Sequence, residues 1–251
     1  MASASTIVCL DQFSVTYLDM SLLKRIDRLP NIFGRRARVD SFVFVVTYGR
    51  SGSTLLQNVL NTIPGYLIRG ENRGMVRDLY RFHKKSIKER RRLSKQSPLP
   101  ETHPWYGIDG YPDDAAYEQM RELVTKTLFR PNANTRVCGF KEIRWNFNDL
   151  QDYLEFYQEV FPGARFIFNT RSLEDVSESK WWSRDPDALD KLKHIEAQLL
   201  DARNWLGDAA YHVHYDDYCR DNRQLTGLFD WLGERFDADA VERTFGTRHS
   251  Y

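Results

Sequence analysis

The chain has 251 residues, 41% hydrophobic and 28% charged, with a formal net charge of +1; these are the values of a soluble globular protein long enough for one substantial core. A balance this close to neutral excludes a global field for nucleic acid or an anionic membrane, so any anion must be held by local placement of Arg and Lys. Cys9, Cys138 and Cys219 are odd in number, widely spaced and free of CxxC or Cys/His patterns, which argues against a zinc site or a disulfide framework and for reduced thiols.

The N-terminal stretch carries acidic residues and no basic segment ahead of a long apolar run, and no stretch is long enough to span a bilayer. A cytoplasmic location without stable membrane insertion is the expectation. No internal repeat is present. Residues 30–40, PNIFGRRARVD, form a turn-rich basic lead into the first strand, FVFVV at 42–46. That run is continuously apolar and β-branched, as a parallel strand covered on both faces should be. STLLQNVLNTIPG predicts a helix with Leu55, Leu56, Val59 and Leu60 on one face and Pro64 and Gly65 as its stop. Residues 75–96 read as a strongly basic helix, and 97–114 as a Pro-, Gly- and aromatic-rich loop.

A helix at about 113–129, a strand at 136–140 and a helix at 146–160 follow. ARFIFNTR, ending at Arg171, is the second clear buried strand, and SLEDVSESKWW opens the next helix. A strand at 211–215 and helices over NRQLTGLFDWLG and DADAVERTF complete the chain. Alternating strands and helices predict an α/β fold, a three-layer sandwich with a mostly parallel central sheet.

The turn between the first strand and helix, TYGRSGSTLL, has the chemistry of an anion site. Gly49 and Gly52 permit tight backbone geometry; Ser51, Ser53 and Thr54 supply hydroxyls; Arg50 supplies charge. N–H groups at such a helix start converge on one point, and the helix dipole favours negative charge there. A Walker loop, GxxxxGK[ST], is longer and carries a lysine that this turn lacks. The turn therefore suits a single phosphate with one further anionic group better than a triphosphate.

This stretch resembles the 5′-phosphosulfate loop of sulfotransferases that use 3′-phosphoadenosine 5′-phosphosulfate (PAPS). It is closest to the RSGTTL form of bacterial glycan-type and tyrosylprotein-type members. A second family signature, a strand-end Arg with a Ser eight residues later, is matched by Arg171 and Ser179, which the resemblance assigns to the 3′-phosphate. Arg171 stands at the carboxyl end of a strand, where open α/β sheets bind ligands, and Ser179 is expected about two turns along the following helix. The segment GYLIRGENRG resembles the family segment bearing the catalytic base and places Glu71 in that role. VCGFKEIR resembles a strand whose Lys stabilises the transferring group, matching Lys141, with Glu142 as its acidic neighbour and a substitute base. Without the resemblance, Glu71 reads as a loop carboxylate paired with Arg69 or Arg73, and Lys141 as one half of a strand-end salt bridge.

The resemblance implies a single sulfotransferase domain over 1–251, with a helical and loop insertion at about 73–130 covering the acceptor site. It implies PAPS as donor, no metal, and a small-molecule or glycan acceptor rather than nucleic acid. Trp105 and Tyr106, in the loop HPWYGIDGY, are the candidate acceptor contacts, and Trp181 and Trp182 the candidates to flank adenine. The late family loop RKGxxGDW is absent; FGTRHSY, with Arg248 or His249, is its possible replacement. Two other readings stand beside this one. One is a P-loop kinase or nucleotidase with a degenerate loop, which would need a Lys at the position of Ser53 and a strand ending in Asp. The other is a non-catalytic nucleotide-binding protein of the same fold.

Overall fold

The computed structural model describes residues 39–247. Cys9, the basic stretch up to residue 38, and Arg248 and His249 lie outside the described residues.

Five strands, β1 Ser41–Val46, β2 Tyr66–Arg69, β3 Val137–Glu142, β4 Arg165–Thr170 and β5 Ala210–His214, form one sheet in the order β2-β3-β1-β4-β5. All four pairings are parallel. β1 is central, and its period-two alternation builds two cores. Phe42, Phe44 and Val46 point to one face, and Val43 and Val45 to the other. Phe44 is fully buried, and its ring lies 5.0 Å from Phe140, 4.8 Å from Tyr157 and 5.2 Å from Phe161. Burying one such ring contributes about 2–3 kcal/mol, with a further increment from the tilted and edge-on ring contacts. The first face is covered chiefly by α2 Met75–Leu93, α3 Asp113–Val124, α4 Leu150–Val160 and α6 Ala188–Leu206. α1 Ser53–Leu60, α8 Thr226–Leu232 and α9 Ala238–Phe245 cover the other. The short helices α5 Leu173–Ser177 and α7 Tyr215–Arg220 lie close after β4 and β5.

Several local expectations change. β2 and α6 have no counterpart in the sequence reading; YLIR is a four-residue edge strand with only alternate residues buried, too short a signal beside the polar RGENRG. The helix expected from 146 begins at Leu150, and that expected to run from 113 to 129 ends as α-helix at Val124 and finishes in a π-turn. The helix after β4 is only five residues long. Ser172 caps its start by accepting from the Asp175 N–H, and the Ser179 N–H bonds back to the Val176 carbonyl at 3.0 Å. Lys180 then takes a left-handed φ of 51°, which ends any continuation. Ser179 is therefore not two turns along a helix; it sits on the irregular backbone just past one.

The chain leaves β1 toward the β3–β2 side of the sheet and leaves β4 toward β5. The carboxyl ends of β1 and β4 thus flank the point where strand order reverses, the crevice in which open α/β sheets bind ligands. Residues 47–52 and 171–172 emerge there.

Candidate active site

The turn after β1 is held by buried polar contacts from across the sheet. Thr47 Oγ1 lies 2.6 Å from both Ser51 Oγ and the Asn169 carbonyl. The Asn169 amide donates to the Ser51 carbonyl at 2.9 Å, and Tyr218 donates to Asn169 Oδ1 at 2.8 Å. Ser51 has no solvent-exposed surface; its hydroxyl meets Thr47 inside the turn and its backbone carbonyl is tied to β4 through Asn169, so the hydroxyl expected from the sequence to bind the anion is turned inward. Arg50 adopts φ 73° and Gly52 φ 75°. The left-handed region costs a non-glycine residue about 1–2 kcal/mol, a strain the fastened turn imposes on Arg50. Gly52 precedes α1 and no side chain caps that helix, leaving its first N–H groups for another acceptor.

Glycine at 52 is required twice over. Besides its φ, a Cβ there would come within 2.0 Å of the Tyr215 ring. Gly52→Ala is expected to lower Tm by about 5 °C, from a left-handed penalty of about 1–2 kcal/mol, and to displace Tyr215 from the turn. Thermal melts compare it with Gly74→Ala, a glycine of similar φ whose added Cβ meets nothing within 4 Å. Equal losses would show that Tyr215 imposes nothing.

The two spaced motifs meet. Arg50 Nε donates to Ser179 Oγ at 3.0 Å, and Arg171 Nη1 donates to the Arg50 carbonyl at 3.3 Å. The Arg171 guanidinium lies 4.8 Å from the Tyr215 ring centre and contacts Asp175 at 3.5 Å and Asp216 at 3.8 Å. Its Nε is buried with no hydrogen-bond partner. Asp216 is the carboxylate nearest that Nε, at an ion-pair distance beyond hydrogen-bond reach, and the guanidinium as a whole borders the cavity. Its backbone N–H donates to Tyr48 Oη at 2.9 Å, and that phenol lies 2.6 Å from a Glu196 oxygen. Burial, then the Glu196 hydrogen bond, pushes the Tyr48 phenol well above its usual range. It stays protonated and acts as a fixed strut for the end of β4.

On the other side of β1, the end of β3 presents Lys141, which is 7% exposed. Its ammonium lies 2.5 Å from Glu71 Oε1. Glu71 is therefore paired with Lys141 and not with Arg69, which donates to the Phe129 and Arg130 carbonyls. Arg144 reaches the second Glu71 oxygen at 3.5 Å. Glu142 is different in kind. It is 3% exposed and accepts from four backbone N–H groups: Asn72 at 3.2 Å, Gly74 at 3.1 Å, Ile143 at 2.8 Å and Arg144 at 3.3 Å. That carboxylate knits the turn after β2 to the end of β3. Glu71, by contrast, faces open space.

Gly49, Arg50, Gly52, Ser53, Thr54, Glu71, Lys141 and Arg171 line one cavity of about 360 Å³. Tyr215, Cys219, Phe245 and Thr247 line it too; Phe245 and Thr247 belong to the FGTRHSY tail and Tyr215 to the Tyr-acid run YHVHYDDY, whereas nothing in the sequence marked Cys219. Burial pushes the Tyr215 phenol up to about 12 and raises the Cys219 thiol, so neither is an anion at neutral pH. The tryptophan pair divides: Trp181 lines the cavity and is half exposed, whereas Trp182 packs on the core and donates to the Gly49 carbonyl at 3.2 Å. Ser51, Glu142 and Ser179 are not among the cavity's lining residues. Trp105 and Tyr106 are exposed, and neither lines the cavity.

No curated protein matches the chain. Among solved structures it is similar to the sulfotransferase domain of the Synechococcus PCC 7002 olefin synthase, with 22% identity over 85% of this chain and 80% of that one and a TM-score of 0.53. Lower-scoring similarities are to sulfotransferase STF9 from Mycobacterium avium (14% identity, 90% and 71% covered, TM-score 0.44) and to mouse sulfotransferase SULT7A1 complexed with PAP (13%, 84% and 64%, TM-score 0.45). The five-stranded parallel sheet flanked by helices is the architecture shared with the first of these. A family model described as "Sulfotransferase family" matches residues 42–238, a span that holds β1, the turn after it, Glu71, Lys141 and Arg171. The chain belongs to the sulfotransferase family.

Proposed function

We propose that the protein transfers a sulfuryl group from PAPS to an acceptor hydroxyl on a glycan, glycolipid or other small molecule. One observation carries this reading: four motifs spread over 130 residues of sequence line or back a single cavity at the strand-order reversal. The residues present fit the donor. The uncapped start of α1 and the 49–54 turn suit the 5′-phosphate, and the Arg171 guanidinium at the cavity wall suits the 3′-phosphate, with Ser179 beside Arg50. When bound, PAPS supplies an activated sulfuryl group, and its transfer resembles phosphoryl transfer in placing nucleophile and leaving oxygen roughly in line.

The chain's own groups divide the work. Glu71 accepts the proton of the acceptor hydroxyl, and its pairing with Lys141 holds the carboxylate facing the cavity. Lys141 and Arg50 hold positive charge where negative charge develops, already oriented by Glu71 and Ser179. Because Glu142 has every lone pair engaged by backbone donors, Glu71 is the better base of the two. Residues 73–130, which begin just after Glu71, are read as the flank of the acceptor side.

Calorimetry with adenosine 3′,5′-bisphosphate and AMP tests the donor assignment. A charge-assisted contact of about 1.5–3 kcal/mol to the 3′-phosphate should make the bisphosphate bind roughly 10- to 100-fold tighter. Arg171→Ala should abolish that ratio while leaving AMP affinity in place. Equal affinities in the parent protein would overturn the reading.

A further inference from the structure

We infer that the exposed face of α2 is a docking surface for an anionic lipid bilayer. The chain is nearly neutral as a whole, so this surface is a product of local placement. Arg81, Lys85, Lys88, Arg92 and Lys95 follow one another at intervals of four, three, four and three residues, and all are exposed. On a helix that spacing puts five cations in one row about 21 Å long, continued through the short helical turn Ser94–Gln96.

Asp78 and Glu89 stand beside the row on α2, and Asp113, Asp152, Glu155 and Glu159 line the groove that Lys88 borders on one flank. Asp78 pairs with Arg81 at 3.1 Å and Glu89 with Arg92 at 2.7 Å. Asp149 and Asp152 are taken up by Lys84, and Asp113 by Arg90, on the flanks of the helix that turn toward α3 and α4. Among the described residues, Lys85, Lys88 and Lys95 make no ion pair. A row of this kind is the footprint of a surface that attracts acidic headgroups.

A second observation separates a bilayer from a soluble polyanion. Phe82, Trp105 and Tyr106 are exposed by 59%, 48% and 58%; Phe82 lies on α2 next to Arg81, Trp105 lies against Arg92, and Tyr106 follows Trp105 in the chain. The Arg92 guanidinium lies 5.5 Å from the Trp105 ring, and Phe82 lies 6.2 Å from Tyr111 in the loop that carries Trp105 and Tyr106. Aromatic bodies beside cations gain by entering a headgroup region, whereas an acidic polymer in water leaves them wet. No helix among the described residues is long and apolar enough to cross a membrane, and the contact inferred for α2 is with the bilayer surface. It explains a basic run that lies outside the cavity, and it holds whether or not the chain is a PAPS enzyme.

Vesicle sedimentation of the full chain tests the inference. The protein should pellet with vesicles rich in phosphatidylglycerol, not with pure phosphatidylcholine, and should be released as NaCl rises from about 0.05 to about 0.5 M. The variant K85E/K88E/K95E should lose on the order of 100-fold in vesicle affinity, at roughly fivefold or more per cation. K85Q/K88Q/K95Q, which adds no charge, should show the same direction if the first variant folds poorly. Phe82→Ser with Trp105→Ser should weaken binding several-fold and leave its salt dependence. Absence of vesicle binding overturns the inference. So does retention on heparin without vesicle binding, which would make the surface a polyanion site, and so does vesicle binding that the lysine variants leave unchanged.

Discussion

Glu71→Gln should lower sulfuryl transfer by about 10²- to 10⁴-fold, the range expected for losing a general base. The substitution keeps an oxygen within reach of Lys141, whose ammonium now lies 2.5 Å from the carboxylate, so the cavity should keep its shape and its affinity for adenosine 3′,5′-bisphosphate. The measurement is turnover of labelled PAPS with an acceptor drawn from pooled glycans, lipids, phenols and peptides, alongside calorimetry with the bisphosphate. A sugar hydroxyl needs a base more than a phenol does, because a phenol, with a pKa of about 10, ionises far more readily. The loss should therefore be larger for a sugar. Turnover within a few-fold of the parent rate would take the role away from Glu71. Loss of bisphosphate affinity along with turnover would point to a collapsed cavity.

Glu142→Ala should damage stability instead. Four backbone N–H groups and one Arg144 N–H converge on a carboxylate that is 3% exposed. Hydrogen bonds to a charged group are each worth about 1.5–3 kcal/mol, and their loss leaves buried donors unpaired. Allowing for partial rearrangement and water entry, the expected cost is roughly 3–5 kcal/mol, or a fall of about 10 °C in Tm for a unit of this size. Thermal melts check it, with Glu71→Gln as the matched control that should melt near the parent. An unchanged Tm would show that the turn after β2 does not depend on Glu142. The two variants together separate neighbouring carboxylates that sequence alone leaves interchangeable.

Much of the fold was legible because its signals are local. The continuous apolar runs at β1 and β4 marked central parallel strands, since a strand covered on both faces has no polar alternation. β2 was not legible. Four residues with every second one half-exposed carry too little pattern, and the strand exists because its backbone pairs with β3. The length of α5 was also hidden: SLEDVSESKWW has ordinary helical composition, yet the helix stops where Ser179 turns back to Val176 and Lys180 takes a left-handed conformation. The aromatic loop at 103–111 looked like an acceptor cover because rings among prolines and glycines suggest stacking. In the fold, Trp105 lies beside Arg92 on the outer side of α2, away from the cavity lining.

By itself the sequence determined the strand–turn–helix that starts the site, the need for small residues at positions 49 and 52, and the identities of the charges available. These depend on neighbours within a few residues, where spacing and side-chain chemistry suffice. Only the tertiary structure decided which of those groups meet. The Glu71–Lys141 pair joins positions 70 apart and the Arg50–Ser179 bond positions 129 apart. Such contacts follow from the order in which parallel strands assemble, which no local pattern encodes. The same assembly turned Ser51 inward as an anchor and saturated Glu142 with backbone donors, leaving Glu71 as the carboxylate that faces the cavity.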